Sequence, residues 1–314
     1  MMEDLILYPL KEANRITKML DLVFGQDRFD RQPVDVEALA LEYSKTIDPK
    51  SPIQSVQSLD LRGCLGALIY TDDQPRQWGI AYQKGQSPGR RSFTLGHEFG
   101  HYILHRHLIE TDPRFEGGLY CDEESILRRG GEGIEKEADI FAAALLMPFH
   151  DFRNQIAADV RVDFAKLSLA AKRYGVSLTA AILRWLEYTT TRAIMVVSTD
   201  GYALWGWSSD AAFKSGRFVR TKHSPFELPN SALAIKREFT EEAKTGILQP
   251  IGGWNFPEPV VEMCIRSDRY DQEITLLHFE GAGPVFQAEE IEEDIFDRFI
   301  NNGQPTSLPG RMCR

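Results

Sequence analysis

Three histidines stand four residues apart in the stretch Phe93 to His105, "FTLGHEFGHYILH": His97, His101 and His105. On a helix, residues four apart share one face with about 6 Å of rise between them. The imidazoles of His97 and His101 can therefore converge on one metal ion at about 2.0–2.1 Å per bond. His105 lies eight residues from His97, about 12 Å along the axis, outside that ion's reach unless the helix breaks. Glu98 follows the first ligand directly. That swings its carboxylate beside the ion, the placement of a general base acting on a water that the metal acidifies.

A catalytic zinc needs three protein ligands and one open position, so another donor must come from elsewhere. The downstream "EKEAD" supplies it: Glu135 and Asp139 lie four apart on one face of a second helix, with Glu137 rotated away. Glu135 is the expected third ligand. Asp139, one turn on, is expected to accept a hydrogen bond from a ligand histidine and fix its tautomer. A metzincin site, with a third histidine after a glycine turn, does not fit, because "HYILHRH" contains no glycine.

The elements that must position these residues are legible around them. Two amphipathic patterns, Ala13 to Val23 and Val34 to Tyr43, precede a loop rich in Pro, Ser and Gln over Asp48 to Ser58. "GALIY" (Gly66 to Tyr70) and "WGIAYQ" (Trp78 to Gln83) read as a hairpin or small antiparallel sheet. After the histidine helix come a Gly-rich connection, Glu116 to Gly133, and the helix "IEKEADIFAAALLMP", stopped by Pro148. Asp163 to Tyr188 reads as two short helices around Gly175. Beyond it the chain turns β-rich, with a tight-hairpin signal at Asp200-Gly201 and two strands in "EPVVEMCIRSDRYDQEITLLHFEG". An acidic helix, "AEEIEEDIFDRFI", leads into a tail from Asn301 that is expected to be disordered. The plan is α+β.

Composition narrows the setting. A chain of 314 residues is long enough for two or three compact units, and a formal net charge of −10 argues against a whole-molecule nucleic-acid footprint. The four cysteines, Cys64, Cys121, Cys264 and Cys313, form no CxxC pair, so neither a disulfide framework nor a cysteine zinc site is indicated. The amino terminus lacks a cationic leader pattern, and no run approaches the roughly 18 apolar residues of a membrane span. The expectation is a cytoplasmic protein without membrane contact.

"FTLGHEFGHYILH" and "EKEADIFAAALLMP", preceded by "GALIYTDDQPRQWGIAYQKGQSPGRRSFTLGHE", resemble the ImmA/IrrE metallopeptidases. The resemblance covers about Leu10 to Pro148, and "LAAKRYGVSLTAAILRWLEYT" extends it to about Thr191. It implies a zinc-dependent endopeptidase with a gluzincin-like site: His97, His101 and Glu135 as ligands, Glu98 as base, and Mn2+ or another divalent ion able to replace Zn2+. Asp139 stands where many members carry Asn. The usual substrate in that family is a small helix-turn-helix repressor, cut in a mobile-element or stress response. The expected organisation is a metallopeptidase domain at 1–150, a helical, helix-turn-helix-like segment at 151–192, a β-rich sensor or interaction domain at 193–300, GAF-like in some members, and a tail at 301–314.

Other features carry competing readings. "REFTEEAKTG" (Arg237 to Gly246) has the core of a Nudix box, but its glycine falls two residues late and Pro229 occupies the upstream glutamate position, so a solvated helix is the better reading. The span Arg161 to Ala193 holds six Lys/Arg against two Asp/Glu, and Ser177, Thr179 and Arg184 could face DNA. Leu178, Ala181, Ile182, Trp185 and Leu186 make that helix a packing or docking element instead, and direct DNA binding is disfavoured. The aromatic "YALWGW" reads as sheet core. Tyr102, Tyr120 and Arg128 are candidate oxyanion helpers by position only, and an extended substrate is expected on a sheet edge near "GALIY" or "WGIAYQ". Cys121, in the Gly-rich connection, could sense oxidation, but a lone cysteine in a loop more often does nothing, and no role is assigned to it. The rival to a peptidase is a non-catalytic regulatory or DNA-binding protein with a structural metal site.

Overall fold

The computed structural model describes residues 2–122, 133–221 and 224–281. The expected acidic helix and tail, and Arg128, lie outside them. Three helices open the chain, α1 (Met2–Phe24), α2 (Arg28–Arg31) and α3 (Val36–Ile47). Asp35 caps α3 by accepting from the Ala38 amide at 3.0 Å, which sets the start of the helix.

A four-stranded sheet follows, built from β1 (Ile53–Leu59), β2 (Cys64–Tyr70), β3 (Trp78–Gln83) and β4 (Gly118–Asp122) in the order β1-β3-β2-β4. β2 and β3 pair antiparallel, as the hairpin reading expects. The supposed loop over Asp48 to Ser58 is in large part β1, parallel to β3. It was hidden because an edge strand buries little: only Ile53 of "IQSVQSL" is fully inside. β4 emerges from the Gly-rich connection and pairs antiparallel with β2. The hairpin strands β2 and β3 are thus both interior, and the expected docking edge near them is corrected: the edges are β1 and β4.

Between β3 and β4 runs α4 (Pro88–Thr111), capped by Ser87 with Pro88 in the first turn. α5 (Ile134–Leu146) packs across it. Gly96 and Gly100 make this approach close: a Cβ at Gly96 would sit 3.3 Å from the Ala142 Cβ, and one at Gly100 would sit 3.3 Å from the Ala138 Cα and 3.0 Å from the Phe141 ring. Pro148 ends α5 and at once begins α6 (Phe149–Gln155). The two expected short helices are α7 (Phe164–Tyr174) and α8 (Leu178–Leu186), hinged where Gly175 takes φ 62°. Asp151 of α6 holds Arg173 at 3.0 Å and the Tyr174 hydroxyl at 2.5 Å, which ties these helices together.

The rest is a six-stranded antiparallel sheet of β5 (Arg192–Thr199), β6 (Tyr202–Ser208), β7 (Phe226–Glu227), β8 (Ile247–Gln249), β9 (Val260–Ser267) and β10 (Gln272–Phe279), ordered β7-β6-β5-β10-β9-β8. Three small helices attend it: α9 (Asp210–Lys214), α10 (Leu233–Lys236) and α11 (Glu241–Thr245). Asp200 (φ 49°) and Gly201 (φ 82°) make the β5–β6 turn, both left-handed as a two-residue hairpin of this type demands. Alternation along the strands splits the burial. Met195, Met263 and Leu276 join the apolar core built by the helices, whereas Val196, Cys264 and Leu277 join a second cluster around Trp254 on the other face. The first core therefore runs without a break from α1 into the C-terminal sheet. In β6 the aromatic run is only partly core: Ala203 is buried, but Tyr202, Leu204 and Trp207 are exposed. The Nudix-like stretch is the five-residue α11, with Ala243 inside and Glu241 paired to Lys244.

His278 of β10 is buried beside Trp185, with ring centroids 5.5 Å apart. Burial first, and then the charge of Arg161, depress its pKa to about 4. A folded-state pKa below the unfolded value of about 6.5 means stability present above pH 6.5 and lost as pH falls towards 4. Between pH 7 and pH 5 this group alone is expected to cost about 2 kcal/mol. Denaturant unfolding of the wild type and His278→Gln at both pH values checks it: the variant should lose correspondingly less stability on acidification.

Candidate metal centre

α4 supplies His97, Glu98 and His101, and α5 supplies Glu135 and Asp139. The Nε2 atoms of His97 and His101 face each other at 2.9 Å. Glu135 closes the triangle, with one oxygen 3.2 Å from His97 Nε2 and the other 3.6 Å from His101 Nε2. A tetrahedral ion with bonds of about 2.0–2.1 Å sets its ligands about 3.3 Å apart, and these three edges bracket that value. Two imidazoles and a carboxylate are also the donor set zinc accepts, so the residues fit such an ion.

The outer nitrogens are fixed as well. His97 Nδ1 lies 2.9 Å from Asp139 Oδ1, where the sequence places that carboxylate. His101 Nδ1 lies 3.1 Å from His105 Nδ1, and His105 Nε2 lies 2.8 Å from Glu137. A single tautomer assignment frees both inner Nε2 lone pairs: His97 Nδ1–H donates to Asp139, His101 Nδ1–H donates to His105, and His105 Nε2–H donates to Glu137. His105 is thus outside the ligand triangle but not idle, and Glu137, which the helical spacing aims elsewhere, is aimed at His105.

Without a metal these groups perturb one another strongly. Burial pulls the His97 pKa down, but the hydrogen bonds to Asp139 and Glu135 overcome it and raise it to about 10. Burial lowers His101 to about 3. Glu135 resists the upward pull of burial because both histidines hold its carboxylate far below its ordinary range. Burial pushes Glu98 up to about 8, against the opposing charge of His97.

Glu98 is fully buried in a cradle that one missing side chain creates. A Cβ at Gly66 of β2 would collide with the Glu98 carboxylate and stand 2.7 Å from the Thr94 methyl. Gly66→Ala is therefore expected to leave metal binding within a few-fold of wild type but to displace the base, lowering turnover by about 100-fold, the scale of a 1 Å misplacement. Metal titration beside steady-state kinetics separates the two effects.

The residue missed in the sequence is Cys121. It lies on β4, fully buried, with its Sγ 3.6 Å from Glu98 Oε2, and its sulfur and the ligand atoms of His97, His101 and Glu135 all lie within 4.8 Å of one another. The available signal was the alternation in "GLYCD": Leu119 and Cys121 point inward and Tyr120 is 58% exposed. Tyr102 is corrected as an oxyanion candidate, because its hydroxyl is buried and donates to the Ser51 carbonyl at 2.9 Å. Arg184 of α8 donates to the Met147 carbonyl at 2.8 Å and covers the Phe149 ring, while Ser177 caps its own helix. Neither side chain is directed outward to a groove.

No helix among the described residues is long and apolar enough to cross a membrane. No curated protein matches the chain. Among solved structures, a Mycobacterium tuberculosis transcriptional regulator aligns at 13% identity and a TM-score of 0.45, over 88% of this chain and 75% of that one. The family model described as the IrrE N-terminal-like domain, Peptidase_M78, matches residues 55–186, from β1 through α8. That span contains every member of the cluster just described, so it is the part of the chain similar to the Peptidase_M78 family that carries the site.

Proposed function

We propose that this chain is a zinc-dependent endopeptidase, with His97, His101 and Glu135 holding the ion and Glu98 acting as general base. The observation that carries the reading is the convergence of two inward Nε2 atoms and the Glu135 carboxylate beside a buried Glu98 whose Oε1 has no partner among the described residues. When bound, the ion supplies Lewis acidity, polarising the scissile carbonyl and acidifying water. Glu98 takes the proton of the attacking water and delivers it to the leaving amide nitrogen. Asp139 and the His105–Glu137 pair hold the two ligand imidazoles in the tautomer that binds metal. An extended substrate would add to the outer edge of β4, the sheet edge that carries Cys121 next to the cluster.

The substrate we infer is a small helix-turn-helix repressor, on the strength of the ImmA/IrrE resemblance, with the C-terminal sheet as a sensor or interaction module. The rival reading, a regulatory protein with a structural metal, draws on Cys121, which would complete a closed four-donor set. The test is co-incubation of the zinc-loaded protein, wild type and Cys121→Ser, with the small helix-turn-helix protein encoded by a neighbouring reading frame. Cleavage at one site, abolished by chelator, is expected. Absence of chelator-sensitive cleavage in both proteins, with zinc and with manganese, overturns the peptidase reading.

A further inference from the structure

A working peptidase must admit a peptide and a water, yet His97, Glu98, His101 and Cys121 are all fully buried. β4 contributes to that cover, and its chemistry is specific. Cys121 pairs in register with Gly66, the same residue whose missing side chain makes room for Glu98, so the thiol and the base are brought face to face. The side chain cannot simply turn away. Leu119 and Cys121 face inward and Tyr120 outward, and a one-residue slip of β4 would bury Tyr120 and expose both. The sulfur lies within 4.8 Å of each ligand atom and 3.6 Å from Glu98 Oε2, so it stands beside both the ligands and the base.

A second observation points the same way. Glu98 Oε1 is buried with no partner among the described residues, and the other oxygen, Oε2, is the one that meets the Cys121 sulfur, so the thiol is the group that engages the base. Zinc sites with four protein donors are closed and structural, whereas catalytic ones keep a position open. Resting on the metallopeptidase reading above, we propose that Cys121 is a fourth ligand that holds the centre latent, and that its release from the ion is the activating step. In that step the Cys121 sulfur would leave the ion as a thiolate and take a proton from solvent, opening the position that a water would fill. Edge strand β4, paired on one side only among the described strands, is the element that moves.

The test uses the full chain loaded with Co2+, whose tetrahedral sites give visible d–d bands and whose thiolate ligands add a near-ultraviolet sulfur-to-metal charge-transfer band. The wild type is expected to show both. Cys121→Ser should keep the d–d bands and lose the charge-transfer band, bind Co2+ at least about tenfold more weakly, and, loaded with zinc, cleave protein substrate at least about tenfold faster than wild type. Visible bands in the wild type without the charge-transfer band overturn the proposal and leave the metallopeptidase reading standing, as does a Cys121→Ser enzyme no faster than wild type. No Co2+ bands in either protein overturn the metal centre itself. The wild-type spectrum decides the ligand question even if the variant folds poorly.

Discussion

Glu98→Gln leaves the metal bound and lowers peptide-bond cleavage by about 10²- to 10⁴-fold, the range that general acid–base catalysis contributes. The substitution is nearly isosteric, so the amide fills the cradle opposite Gly66 without displacing β2. What it removes is the ability to accept and return a proton. The ligands, His97, His101 and Glu135, keep their contacts with one another. The variant should also fold well. Burial raises the Glu98 pKa to about 8, above its unfolded value, so its contribution to stability is present below about pH 4.5 and is lost as pH rises through 8. A neutral amide escapes that loss, and the metal-free variant should be no less stable than wild type at pH 8. Metal content, single-turnover cleavage and thermal unfolding of the same preparation check all three statements. A regulatory protein with a structural metal would show no functional change.

Glu135→Ala and Asp139→Ala should both weaken metal binding, and in a fixed order. Asp139 meets the outer nitrogen of His97, not the inner one, so its loss frees the ring to turn and to adopt the wrong tautomer without removing a donor. Partners of that kind are worth about 10- to 100-fold in affinity. Glu135 is a donor itself and spans both inner nitrogens, so its removal should exceed that range, to more than about 100-fold. Competition with a chromophoric chelator reads both. Equal effects, or a larger effect at Asp139, would place the third ligand elsewhere.

Much of this centre was legible because helical spacing is a strict ruler. His97 and His101, and Glu135 and Asp139, are each one turn apart on their own helix, so the register shows which side chains share a face. The face assigned to Glu137 was also correct, but spacing on one helix cannot show that His105 of another helix waits there. The sheet was harder. β2 and β3 are apolar runs between turn residues, whereas β1 is polar because it is an edge, and β4 is five residues reached through a Gly-rich connection. Cys121 was lost with β4: its meaning depends on lying opposite Gly66, a pairing that joins residues 55 positions apart. Pro148 misled in a smaller way, since it ends α5 but also starts α6. The C-terminal hairpin was readable from Asp200-Gly201, but the sharing of one core between that sheet and the helices was not, because β5 is apolar on both faces and names neither partner.

The central claim is that His97, His101 and Glu135 hold one ion beside Glu98. The most direct measurement is an anomalous difference map collected at the zinc edge from crystals of the zinc-loaded chain. The account predicts one strong peak within bonding distance of both inner Nε2 atoms and a Glu135 oxygen. A zinc-loaded crystal with no peak in that triangle, or with its ion held by other residues, would contradict it.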